Sequence, residues 1–318
     1  MTLQVDSLNT VKHSPNPQVN TSFKANPVAT TNTLERTPTT DTLVKPAKNK
    51  TKKALLTLGA IVLAGVGIFG AIKLGKAHQQ KKAIQEIEKK FADLRGDMPR
   101  VQKTFKEVFL REDLTEKEAL EMLNRYKEIE KIGITGTKEE YALKLFDEAK
   151  RNYGFGDIKL PLYLEKNVEK SSGCISAAST YDDMLGVEIF SDIDKNKLVD
   201  VIHHELRHVK QKYFSCCLDE KGYFKIYAKN FIQDRPFIKP TEKNLETAAL
   251  NALDDAKKIW KEFSRKNLPD KYEDYAKKCL ENYRNYTDGL VNFNKYQNQF
   301  MEEDARFAGE SIAKLFGL

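Results

Sequence analysis

DKNKLVDVIHHELRHVKQKY, residues 194–213, is the stretch on which the reading of this chain turns. Leu198, Ile202, Leu206, Val209 and Tyr213 recur at spacings of four, four, three and four, which is the apolar stripe of a helix laid on a core. Inside it stands HELRH, His204 to His208, an HExxH match. Residues at i and i+4 lie one above the other on a helix, so His204 and His208 present two imidazoles to one ion, a donor set that suits zinc. Glu205 sits one residue round, where a carboxylate can take the proton of a water that the metal acidifies. His203 is about 100° round the helix from His204 and cannot share that ion.

A tetrahedral site that keeps a place for water needs one more protein ligand. No histidine follows the motif, so a carboxylate is expected. Glu302 is the first choice, in YQNQFMEEDARFAGE (residues 296–310), where Glu302, Ala305 and Arg306 open a helix. Glu303 is its close rival, and Glu246 in LETAAL is a third choice. Glu303 and Asp304 also fit the charged first turn that a helix dipole favours.

Outward from the motif, IKLPLYLE, GCISAAST and MLGVEIF, between residues 157 and 190, are short apolar or alternating runs split by Gly, Asn and Ser, and predict three strands of a small sheet. Upstream, Thr115 with Glu118 and Thr137 with Glu140 are capping boxes for two helices. Downstream, periodicity predicts helices over residues 241–266, 270–286 and 299–316. The fold class expected is α+β, mainly helical with a small mixed sheet.

Nineteen residues without a charge, 54–72, are bracketed by Lys52, Lys53, Lys73 and Lys76 and just span a hydrocarbon core. A transmembrane helix over 54–75 follows, contacting lipid and giving a single-pass membrane localisation. Ala60, Ala64, Gly67 and Ala71 are small residues through which two such helices could form a homodimer. Five flanking lysines before the span and four after leave its orientation undecided. Residues 1–53, with half of the ten prolines and no periodicity, read as a disordered polar tail, and residues 76–96 as a charged helical stalk. The folded domain is expected over 97–318.

The tail holds +5 of the net charge of +7, so the remaining 265 residues are nearly neutral and a nucleic-acid partner is not expected. Cys174, Cys216, Cys217 and Cys279 form no CxxC pair, and buried free thiols are favoured over disulfides or a cysteine metal site.

Strands, HELRH helix and late glutamate helix together resemble the zincin metallopeptidases of the gluzincin kind, over roughly residues 157–213 and 296–316. The resemblance implies zinc held by His204, His208 and the downstream glutamate, with Glu205 as general base and a peptide or protein as substrate. The segments GCISAAST and MLGVEIF look like the strands that zincins set above the cleft, where an extended peptide can join the sheet edge. MEEDARFAG is similar to the Glu-x-[Asp/Glu]-Ala-Arg helix of several prokaryotic zincins, which favours Glu302 over Glu303. The gap of 94 residues from His208 to Glu302 departs from the compact pattern and makes the helices from 241 to 286 an insertion. Tyr181, Tyr296 and Arg306 are candidate donors to the oxyanion. The competing expectation is a membrane-tethered helical adaptor without activity, its zinc structural and closed by a fourth donor such as Cys216 or Asp219. A zinc hydrolase acting on something other than peptides is a third.

Overall fold

In the computed structural model, residues 76–165, 178–180, 184–190, 193–233, 237–287 and 292–318 are described. The polar tail and the transmembrane helix expected over 54–75 lie outside them. Among the described residues, no helix is long and apolar enough to cross a membrane.

The described residues begin with the helix at 76–96 (α1), followed by α2 (Met98–Phe109), α3 (Glu116–Thr135) and α4 (Lys138–Asn152). Ile87, Phe91 and Leu94 repeat at helical spacing and are buried, with the Phe91 ring 5.5 Å from that of Phe316. The second half of the expected stalk therefore belongs to the core. α3 starts on a complete capping box: the Thr115 hydroxyl accepts from the Glu118 amide at 3.2 Å, and the Glu118 carboxylate accepts from the Thr115 amide at 2.8 Å. Such a cap contributes about 1 kcal/mol. At α4 only half the box forms, Thr137 accepting from the Glu140 amide.

Three strands follow where alternation predicts them: β1 (Leu162–Glu165), β2 (Ala178–Thr180) and β3 (Val187–Phe190). The sheet order is β1-β3-β2, with β1 parallel and β2 antiparallel to β3, and Leu162 and Thr180 both opposite Val187. The fold is thus mainly helical with a small mixed sheet, an α+β arrangement.

α5 (Leu198–Leu218) passes beneath β2 and β3 and through the middle of the domain. Its stripe is buried as the spacing demands, Leu198, Ile202, Leu206 and Val209 being at most 1% exposed. The burial goes further round than one stripe, since His203, Arg207, Gln211 and Ser215 are covered too. The reason is that α5 is packed by α4, α6 (Glu220–Gln233), α8 (Glu273–Arg284) and α10 (Phe300–Leu315). α7 (Glu242–Trp260) pairs with α6, and the short α9 (Phe293–Gln297) leads into α10. Two 3₁₀ turns, Arg265–Asn267 and Asp270–Tyr272, join α7 to α8. Cys216, Cys217 and Cys279 are buried free thiols, as expected, while Cys174 lies outside the described residues.

Candidate metal centre

α10 lies against α5 because its inward face is small. Ala305, Ala308 and Gly309 are buried there, and a Cβ on Gly309 would stand 2.5 Å from the Asp200 carbonyl oxygen of α5. The close approach is fastened by a buried ion pair. Arg207, the arginine of HELRH, donates to both carboxylate oxygens of Asp304 at 2.7 and 2.6 Å and to the carbonyl of Val108 at 2.7 Å. Asp304 also accepts from Tyr275 at 2.5 Å and Gln211 at 2.7 Å. Burial alone would raise its pKa, but these donors, Arg207 foremost, hold it below the ordinary value. Asp304 is therefore not the solvated first-turn charge that its position suggests. Glu303 is, being exposed beside it.

This packing brings Glu302, 1% exposed, to the two histidines. His204 Nε2 is 3.1 Å from His208 Nε2, and the Glu302 carboxylate oxygens are 3.6 Å and 3.4 Å from those two nitrogens. One ligand atom from each residue lies within 4.8 Å of the others, a group that could hold a metal ion. Three donors at about 2.05 Å from a tetrahedral ion would be roughly 3.3 Å apart, so the observed spacing fits a small cation. Among the described residues no fourth His, Cys, Asp or Glu joins the group. Glu246 is exposed on α7 and does not belong to it, Cys216 is buried elsewhere, and Asp219 caps α5 and faces Arg284 at 3.9 Å.

The orientation of His208 is fixed from behind. Gln211 Nε2 donates to the Met301 carbonyl at 3.0 Å and to Asp304, so its amide oxygen faces His208 Nδ1 at 2.8 Å. Nδ1 then carries the proton and Nε2 keeps its lone pair free for an ion, the support usual behind a metal-binding imidazole. Burial would depress the His208 pKa, but the hydrogen bond and charge of Glu302 outweigh it and the net shift is upward. For Glu302, burial is likewise outweighed by His204, His208 and Tyr286, and the carboxyl is held far below the ordinary range.

Glu205 is buried, and its charge is felt by His208 and by Tyr296. Tyr296, on α9, is the oxyanion donor candidate that the fold brings to the site, its hydroxyl hydrogen-bonding Glu302. Burial and the two carboxylates push its pKa up, so it stays a neutral O–H donor. Arg306 does not reach the trio; it donates to the Gln297 carbonyl and ties α10 to the end of α9. Tyr181 lies outside the described residues. Sequence reasoning missed Tyr286, whose hydroxyl donates to Glu302 at 2.6 Å and whose ring meets that of Tyr296 edge-on at 6.1 Å. It stands just past α8 in a segment without periodicity. His203 is buried away from the trio, its Nε2 3.2 Å from the Tyr126 hydroxyl, and burial lowers its pKa to about 3.

No family model matches the chain, and comparison with curated proteins and with solved structures gives no match.

Proposed function

We propose that the chain is a zinc-dependent metallopeptidase of the gluzincin kind, held to a membrane by residues 54–75 and hydrolysing peptide bonds in a protein or peptide substrate. The observation that carries this is the convergence of His204, His208 and Glu302 beside the Glu205 carboxylate. The fit of the donor set favours zinc, as two neutral imidazoles and a carboxylate are its customary catalytic ligands. The absence of a fourth donor among the described residues favours an open position over the closed site that a structural role would need.

When bound, zinc supplies a Lewis acid that acidifies water and polarises a carbonyl at neutral pH. The protein's own groups do the rest. Glu205 takes the proton of the attacking water and returns it to the leaving amine. Tyr296, kept neutral by its surroundings, is the donor to the developing oxyanion. Asp304, through Gln211, keeps His208 in the tautomer that leaves Nε2 free. β2 is one of the two edge strands in the sheet order and the one that packs more on α5, which supports an extended peptide joining the sheet on the side of the helix that carries the histidines.

The test is elemental analysis of the purified full-length chain beside His204→Ala and Glu302→Ala, with peptide-library cleavage by Glu205→Gln. We expect one zinc per chain, lost in the two ligand variants, and Glu205→Gln that keeps zinc but cleaves nothing. A wild type that takes up no zinc, or a zinc-loaded Glu205→Gln with full activity, would overturn the proposal.

A further inference from the structure

Lys210 leaves α5 about 200° round the helix from His208, away from the metal centre. It enters a cavity of ≈ 230 Å³ whose walls include Phe155, Tyr213 and Phe214, with Gly154 and Asn267 exposed at its mouth. The ammonium donates to the Tyr153 carbonyl at 2.9 Å and lies 5.0 Å over the Phe155 ring and 4.7 Å over that of Phe214. No carboxylate among the described residues pairs with it; besides burial, the groups that act on it are Arg207 and Arg111, both positive, and the Cys217 thiol, which favours the ammonium. Lys210 is half-buried, and lysine ammonium groups are seldom drawn even that far from water without an anionic partner, because desolvating a charge is costly. Of its three N–H groups one is spent on Tyr153. Gly154 has φ +86°, a backbone that only glycine adopts without strain, and its missing side chain leaves the ammonium uncovered on that side.

We propose that this cavity binds a small organic carboxylate, its anionic end on Lys210 and its apolar or aromatic body against Phe155, Tyr213 and Phe214. The cation at the wall of this half-open cavity attracts negative charge, and the rings of Phe155, Tyr213 and Phe214 beside it favour a flat or partly apolar body. The volume is below the roughly 300 Å³ at which pockets for drug-sized ligands begin, so the ligand is a compact one.

The chain carries a reporter for this site. Trp260, its one tryptophan, packs edge-on against Phe155 at 4.9 Å and beside Tyr213 at 5.3 Å, both of them cavity walls. Titrating the full-length protein with benzoate should shift Trp260 fluorescence saturably, and its uncharged isostere benzamide should bind at least tenfold more weakly. Lys210→Met should lose benzoate affinity at least tenfold, and Lys210→Arg should keep most of it. A non-saturating response to benzoate, benzamide binding equal to benzoate, or wild-type benzoate affinity in Lys210→Met would overturn the assignment. The benzoate and benzamide comparison needs no variant, so it decides even if Lys210→Met fails to fold.

Discussion

Replacing Arg207 by Met tests the joint between α5 and α10, the two helices that carry the candidate metal ligands. The Arg207 and Asp304 side chains are 3% and 14% exposed, and their bidentate contacts are 2.6 and 2.7 Å long. An exposed pair of this kind would be worth under about 1 kcal/mol, but burial changes the balance. Removing one partner of a buried pair strands the other, at a cost of about 3–5 kcal/mol. Here Asp304 would keep Tyr275 and Gln211 as donors while the Val108 carbonyl lost its own, so the same range holds. For a domain of this size that lowers Tm by about 6–20 °C. Because Gln211 couples Asp304 to His208, zinc affinity should also fall about 10- to 100-fold, as when other supports behind a metal-binding histidine are removed. Calorimetry and a chelator competition would read the two effects. The double variant Arg207→Met, Asp304→Leu strands no charge and should recover much of the stability without recovering the zinc affinity. An Arg207→Met protein within about 1 kcal/mol of wild type would show that the pair acts as a surface bridge. Lost stability with unchanged zinc affinity would refute the relay through Gln211.

Gly309→Ala opposes two effects: the helix propensity of alanine favours it by about 1 kcal/mol, while the clash of its Cβ with the Asp200 backbone costs about 1–3 kcal/mol. A net loss in urea unfolding is expected, with weaker zinc binding as α10 moves off α5; a stabilised variant would contradict the close approach. Tyr296→Phe should keep zinc and lower kcat about 10²- to 10³-fold with KM little changed, if its hydroxyl serves the oxyanion. Equal kcat would remove Tyr296 from that role. Burial lowers the His203 pKa from the ordinary 6.5 to about 3, so the unfolded chain binds the proton that the native protein refuses. That contribution is present above pH 6.5 and is lost as pH falls toward 3, so metal-free wild type should lose about 1 kcal/mol more stability than His203→Gln between pH 6 and 5. In that window the raised pKa of His208 has no effect, because its stabilisation is already complete below pH 6.5. Parallel stability curves for the two proteins would contradict the buried neutral imidazole.

What the sequence made legible is what depends on spacing along one element. Leu198 to Tyr213 announce a helix, and His204 with His208 announce two imidazoles that can face one ion, because a 3.6-residue turn fixes both without reference to the rest of the chain. The strands at 162–165, 178–180 and 187–190 were readable for the same reason, through alternation and the breaks between them. α6 was not read, because Tyr223, Phe224, Ala228 and Ile232 are buried in a segment whose other face is also half covered, which blurs the period. The choice among Glu302, Glu303 and Glu246 could not be made from spacing alone, since it depends on which face of α10 meets α5. Ala305, Ala308 and Gly309 mark that face, lying three, six and seven residues after Glu302 on its own side of the helix. The partners that enforce the meeting, Arg207 and Asp304, stand inside the two motifs themselves, 97 residues apart. Each reads by itself as an ordinary charged residue. Only their burial together turns them into the constraint that sets a carboxylate 3.4 Å from an imidazole. The long interval between the motifs is then no obstacle to a site, because α8 fills it with a helix that packs on α5 and supplies Tyr275 to the same aspartate.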